Sequence, residues 1–201
     1  MTFDQAEFAV RCEWDLGGLR SLAPISDVVV VVDVLSFSTA VEIGVNQAGV
    51  IFPYPLKGVS AVEYARSVNA NLACDRGFGF SLSPASLRNL PAGYRLVLPS
   101  PNGAALSYSA NHPTVLTACL RNAAAVARAA SSLGRTVGVI PAGEVWEDGT
   151  LRPCIEDLIG AGAVISALIG DCSPEARLAS AAFEHFQTNL GATLRARPVR
   201  S

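Results

Sequence analysis

Two hydrophobic periods take turns along the chain. Residues 28–32 are five consecutive valines, an apolar run without polar alternation, as expected of a central parallel strand covered by helices on both faces. The run ends at Asp33, after which residues 38–47 place Ala40, Val41, Gly44 and Val45 at helical spacing, with Ser36, Ser38 or Thr39 available as caps. The cycle repeats with a strand at 50–52, a helix at 59–68 and a strand at 70–74. A polar, glycine-rich loop fills 75–83 before a short helix near 84–88. Further strands are predicted at 94–98, 115–118 and 136–140, with helices at 104–109 and from 123 to 132. Two helices, near 153–168 and 174–190, close the chain. Ahead of all this, residues 7–14 alternate with period two, which predicts an edge strand with one wetter face.

This alternation predicts an α/β fold, a three-layer α/β/α sandwich with a mostly parallel central sheet. No linker, low-complexity tract or sequence repeat divides the 201 residues, so a single domain over 1–201 is expected. Half of the residues are hydrophobic, which excludes a disordered chain. Fifteen Lys and Arg stand against 17 Asp and Glu, a net charge of −2 with no basic run, so nucleic acid and anionic membrane surfaces are poor partners and a small molecule fits better. The longest apolar stretch, 159–170, is well short of the ~20 residues of a membrane span. Acidic Asp4 and Glu7 stand where a signal peptide would be basic, and a cytoplasmic location is expected. Five cysteines without a C-x-x-C pair fit a reducing compartment, and two histidines without ligand spacing make zinc improbable; any metal must be held by oxygen.

In open α/β sheets a ligand sits outside the carboxyl ends of the strands. The segments that follow the predicted strands are 33–39, 75–83, 100–103, 121–122 and 143–144, rich in hydroxyls, amides, glycine and acids. Such a rim suits a phosphate held by N–H and hydroxyl donors and a hard cation held by carboxylates. Each residue also has a plain reading. Asp33 could cap the next helix, Ser100-Pro101-Asn102-Gly103 is ordinary turn chemistry, and Arg76 and Arg152 could be solvated charges. Of Glu144, Glu147, Asp148, Glu156 and Asp157, some are expected at the surface, and Asp148-Gly149 is a good turn. No dinucleotide fingerprint or P-loop is present.

Taken together, five segments in this order resemble the 2-phosphosulfolactate phosphatase family, often called ComB-like: Val30 to Ala40 with Asp33, Ser81-Leu82-Ser83-Pro84, Ser100-Pro101-Asn102-Gly103, Arg121-Asn122, and Pro141-Ala142-Gly143-Glu144 continuing through Asp148 and Arg152 to Glu156-Asp157 and Gly162. Many members carry arginine where this chain has Ser36, and members usually continue beyond the last helix found here, so a missing C-terminal segment is part of the expectation. The resemblance implies a ComB-like α/β/α fold and Mg²⁺-dependent removal of phosphate from 2-phosphosulfolactate, a step of coenzyme M biosynthesis, or from a related small phosphorylated hydroxy acid. It implies Asp33 and Glu144 as catalytic carboxylates and Mg²⁺ ligands, with Glu156 and Asp157 as further ligands. Ser38, Thr39, Ser100, Asn102, Gly103, Asn122, Arg76 and Arg152 become the substrate- and phosphate-binding set. A non-catalytic binder of a phosphorylated or sulfonated metabolite and a structural subunit with a turn-rich rim are the competing classes, and a homo-oligomer is compatible with all three.

Overall fold

A computed structural model describes residues 5–112 and 114–195. The expectation about the C-terminus falls largely on 196–201, outside those residues. The chain is α/β with parallel sheets between helical layers, consistent with the three-layer sandwich.

Strands β1 (Val10–Cys12), β2 (Val28–Val32), β6 (Val115–Ala118) and β7 (Val137–Pro141) make a parallel sheet in the order β1-β7-β2-β6. The five valines of β2 occupy its interior, paired with β6 on one side and β7 on the other. Their alternate side chains go to different cores. Val29 and Val31 join Leu19, Leu22, Leu106 and Ile140 beneath α1 (Asp15–Leu22) and α4 (Gly103–Ser109). Val28, Val30 and Val32 join Ala123, Ala127, Ala161, Val164 and Ala179 beneath α5 (Ala123–Leu133), α6 (Ile155–Ile165) and α7 (Pro174–Phe186). Burial on both faces is why the run shows no alternation.

The remaining parallel strands, β3 (Val50–Tyr54), β4 (Asn71–Leu72) and β5 (Arg95–Pro99), pair separately in the order β3-β5-β4. One central sheet was expected; hydrogen bonding divides it into two. Between β6 and β3 lies a groove of about 220 Å³ lined by Phe37, Val41, Ile51, Pro53, Ser107, Val115, Leu116 and Thr117. Pro53 has no N–H to offer across it. Helices α2 (Phe37–Asn46) and α3 (Val59–Ser67) complete this half, whose core is Phe37, Ala40, Leu87, Leu90, Leu96, Leu98 and Ala104.

Three further features depart from the sequence reading. The face of β1 expected to be wetter is dry, because Arg11 is buried and donates to the carbonyls of Gln5, Ala6 and Ile25. Helix α1, not predicted, contains Gly17-Gly18, and a Cβ on Gly18 would lie 2.5 Å from the Glu13 carbonyl carbon, so close packing selects a poor helix former. Two-residue strands β8 (Glu144–Val145) and β9 (Leu151–Arg152) form an antiparallel hairpin beyond β7. Helix α7 begins on a Ser173 cap that accepts the Ala176 N–H, with Pro174 in its first turn. A short α8 (Leu190–Arg195) ends the described residues.

Candidate active site

The site is built on Asp33, the first residue past β2. Its backbone leaves the ladder after Val32, and the chain turns through residues 34–36 into α2. The carboxylate is taken up by two helix starts: Oδ1 accepts the Phe37 N–H at 3.2 Å and Oδ2 accepts the Gly103 N–H at 2.8 Å. Phe37 opens α2, which follows β2, and Gly103 opens α4, which follows β5, so Asp33 ties the two sheets together. Gly103 is required by closeness: a Cβ there would sit 2.6 Å from both Asp33 Cβ and Phe37 Cδ1. With 4% of its surface exposed, Asp33 is pushed up to about 6 by burial, against the two N–H bonds and with help from the charges of Glu144 and Glu156.

A second buried aspartate braces the first. Asp157, in the first turn of α6, accepts the Val34 N–H at 2.8 Å through Oδ1 and the Gly143 N–H at 2.9 Å through Oδ2. It thereby joins the segment after β2 to the segment after β7. Gly143 has φ +66° and packs against Leu151 and the Arg152 carbonyl, a turn that glycine alone adopts without strain. Burial holds the Asp157 carboxyl well above its ordinary range, and the neighbouring Asp33 adds to that.

Glu144 and Arg152 face each other across the β8–β9 hairpin, with Arg152 Nη1 2.7 Å from Glu144 Oε2. The guanidinium also lies over the Trp146 ring, 5.3 Å from its centroid, and 3.1 Å from Cys154 Sγ. Burial and the nearby acids Glu156, Asp157 and Glu144 push the Cys154 thiol up to about 12, so it is no nucleophile. Glu156 is buried beside Asp157.

The acids Asp33, Glu144, Glu156 and Asp157 are thus brought close together: the charges of Glu144 and Glu156 act on Asp33, and those of Asp33 and Glu156 act on Asp157. Among the described residues, however, no three His, Cys, Asp or Glu side chains form a ready-made metal cage. The four-ligand set drawn from the resemblance is not preassembled: Asp33 and Asp157 each already accept two backbone N–H groups, and Glu144 is paired with Arg152.

The expected phosphate donors divide similarly. Thr39 Oγ1 donates to the Val34 carbonyl at 2.7 Å, and Ser38 Oγ accepts the Asp33 N–H at 2.9 Å and lies 2.7 Å from Thr117 Oγ1. Both hydroxyls hold the loop rather than reaching out from it. The Asn122 side chain likewise bends its own turn, accepting from Cys119 N and donating to the Thr117 carbonyl. The Gly103 N–H is spent on Asp33. Buried Ser100 accepts from Asn102 N at 3.4 Å, and the Asn102 side chain makes no hydrogen bond among the described residues. Arg76, exposed on the 75–83 loop, reaches back so that Nη2 donates to Ser36 Oγ at 2.9 Å. A guanidinium from a different loop therefore arrives beside Ser36, where the resemblance had pointed to a missing arginine.

A model of the 2-phosphosulpholactate phosphatase family matches residues 19–199. The chain belongs to this family. It is a family of phosphatases, which makes the chain an enzyme of that class with a small phosphorylated substrate. A comparison with curated proteins finds no match. No helix among the described residues is long and apolar enough to cross a membrane.

Thr117 is the residue of this region that the sequence reading passed over. It is an ordinary β-branched strand residue by composition, and the available signal was its place next to the carboxyl end of a predicted strand, beside the rim.

Proposed function

We propose that the protein hydrolyses the phosphate ester of a small hydroxy acid, 2-phosphosulfolactate or a close relative, to the hydroxy acid and phosphate, with Mg²⁺ as its cofactor. The observation that carries the reading is Asp33, a buried carboxylate aimed from a strand end and held by one N–H from each of two helix starts. Each of its oxygens keeps a lone pair beyond the one the protein uses.

The donor set suits magnesium in one respect: it is all oxygen, and Mg²⁺ usually keeps several waters while taking only one or two carboxylates and the substrate's own oxygens. Asp33 and Glu144 are the residues that would hold it, with Glu156 and Asp157 behind them, and the bound ion would supply positive charge to the phosphoryl oxygens. Everything else falls to the chain. Arg76, exposed and with one Nη2 bond to Ser36, pairs with an acidic group of the substrate, and Arg152 serves as a second clamp when Glu144 is engaged elsewhere. Asn102 offers its free amide to the phosphate. Asp33 orients the group that attacks phosphorus, and Asp157 keeps the segments carrying Asp33 and Glu144 in register. Cytoplasmic location fits the cysteine usage and is part of the same proposal.

The test is release of inorganic phosphate from a panel of phosphorylated hydroxy acids, 2-phosphosulfolactate among them, with Mg²⁺ and with EDTA. Chelator-sensitive turnover is expected. Thermal stabilisation by these compounds without turnover would identify a binder instead, and turnover indifferent to EDTA would remove the magnesium.

A further inference from the structure

Thr117 lies on β6 opposite Val31, one residue before the last pair of the register, Val32 with Ala118. Beyond that pair the Asp33 N–H has left the strand ladder and turns to Ser38 Oγ at 2.9 Å. Ser38 Oγ is fully buried and 2.7 Å from Thr117 Oγ1, which in turn donates to the Val31 carbonyl at 3.2 Å. The sense of this chain is fixed by its ends. The Val31 carbonyl can only accept, so the Thr117 hydrogen goes there. The Thr117 oxygen then receives the Ser38 hydrogen, and Ser38 is left with a lone pair for the Asp33 N–H.

The surroundings of Thr117 show what packing alone would ask for. It lines the groove between the two sheets with Phe37, Val41, Ile51, Pro53 and Leu116, where valine would fill the same space. Its methyl group suits that groove, and its hydroxyl is used on the other side.

We infer that Thr117 is a positioning residue: acting through Ser38, it fixes the Asp33 backbone and so the direction from which the Asp33 carboxylate meets the substrate. The inference rests on the reading of Asp33 given under Proposed function. It also assigns the Ser38 hydroxyl to the support of Asp33 and not to the substrate, since both its bonds are spent inside the fold.

Thr117→Val keeps the shape and deletes the hydroxyl. Turnover of the best substrate in the panel is expected to fall about tenfold in kcat with KM within about twofold, the pattern of an interaction that matters in the transition state. Thr117→Ser should return kcat to within about twofold of wild type. Hydrogen exchange at the Asp33 amide should quicken by about tenfold or more in Thr117→Val while amides in the middle of β2 keep their rates. A Thr117→Val enzyme with wild-type kcat, or a Thr117→Ser enzyme as impaired as the valine variant, overturns the inference. Should the valine variant not fold, Ser38→Ala breaks the same chain from its other end, and a wild-type kcat there has the same consequence. If the unmodified protein turns over nothing in the panel, the phosphatase reading falls on its own, and the Asp33 amide decides the role of Thr117: unchanged exchange in Thr117→Val refutes it, and faster exchange supports it.

Discussion

Asp33→Asn separates the charge of this residue from its shape. Burial raises the Asp33 carboxyl from 3.8 to about 6, and a rise of that size corresponds to ~3 kcal/mol. Below pH 3.8 both folded and unfolded chains hold the proton. Between pH 3.8 and about 6 the folded chain keeps it and the unfolded chain loses it, so stability falls as pH rises through this window and is level above it. Asparagine does not titrate and escapes that loss. It has a cost of its own, because its NH₂ must face either the Phe37 or the Gly103 N–H, and a donor left opposite a donor costs about 1–3 kcal/mol. In metal-free buffer with EDTA the variant should therefore be less stable than wild type at pH 4 by that amount, and should match or exceed it at pH 7. At roughly 2–4 °C per kcal/mol for a chain of this size, the gap in Tm should shift by about 6–12 °C between the two pH values. Thermal unfolding of both proteins across this range measures it, and phosphate release at pH 7 should fall more than about tenfold, ~1.4 kcal/mol of barrier. A constant gap in Tm from pH 4 to pH 7 would refute the argument, since it would mean that Asp33 enters the fold already ionised.

Gly103→Ala places a methyl group 2.6 Å from Asp33 Cβ and Phe37 Cδ1, so it should cost ~2 kcal/mol in chemical denaturation and lower phosphate release more than about tenfold by displacing the carboxylate. Gly162→Ala puts a Cβ 2.0 Å from the Ala179 carbonyl oxygen; it should force α6 and α7 apart, lowering Tm by ~5–10 °C while kcat per folded molecule stays near wild type. Arg76→Ala removes an exposed guanidinium that meets the Ser36 hydroxyl, and steady-state kinetics should show a raised KM with Tm unchanged to within about 2 °C.

How far the sequence reached depends on whether a feature is local. The valine run announces β2 because burial on two faces leaves no polar alternation, and Asp33 is marked by standing at its carboxyl end. Ser173 and Pro174 likewise mark the start of α7. Helix α1 was hidden because Gly17 and Gly18 lower its propensity and Trp14 gives it no side-chain cap. The division of the sheet depends on how β6 and β3 meet, and Pro53 inside β3 was the one local hint of an edge. Asp157 was legible as an acid near a helix start, but its grip on Val34 and Gly143 comes from tertiary contact. Ser38 and Thr39 were available as caps by position and became ligand donors through the resemblance; the positions of Thr117 and the Val34 carbonyl show that both hydroxyls serve the loop.

The reach of the bonds around Asp33 has a consequence for how the enzyme is made. Gly103 meets Asp33 across 70 residues of chain, and Asp157 meets Val34 across 123. At a synthesis rate of about 5–20 residues per second, the two aspartates leave the ribosome's catalytic centre roughly 6–25 s apart. Only in the last third of that interval, once residues 115–118 have been made, can β2 pair with β6, and the loop that carries Asp33 still waits for its brace. An incomplete nascent chain thus holds Asp33 without the brace from Asp157, and the segment after β2 reaches its final alignment only when α6 has been synthesised and docked.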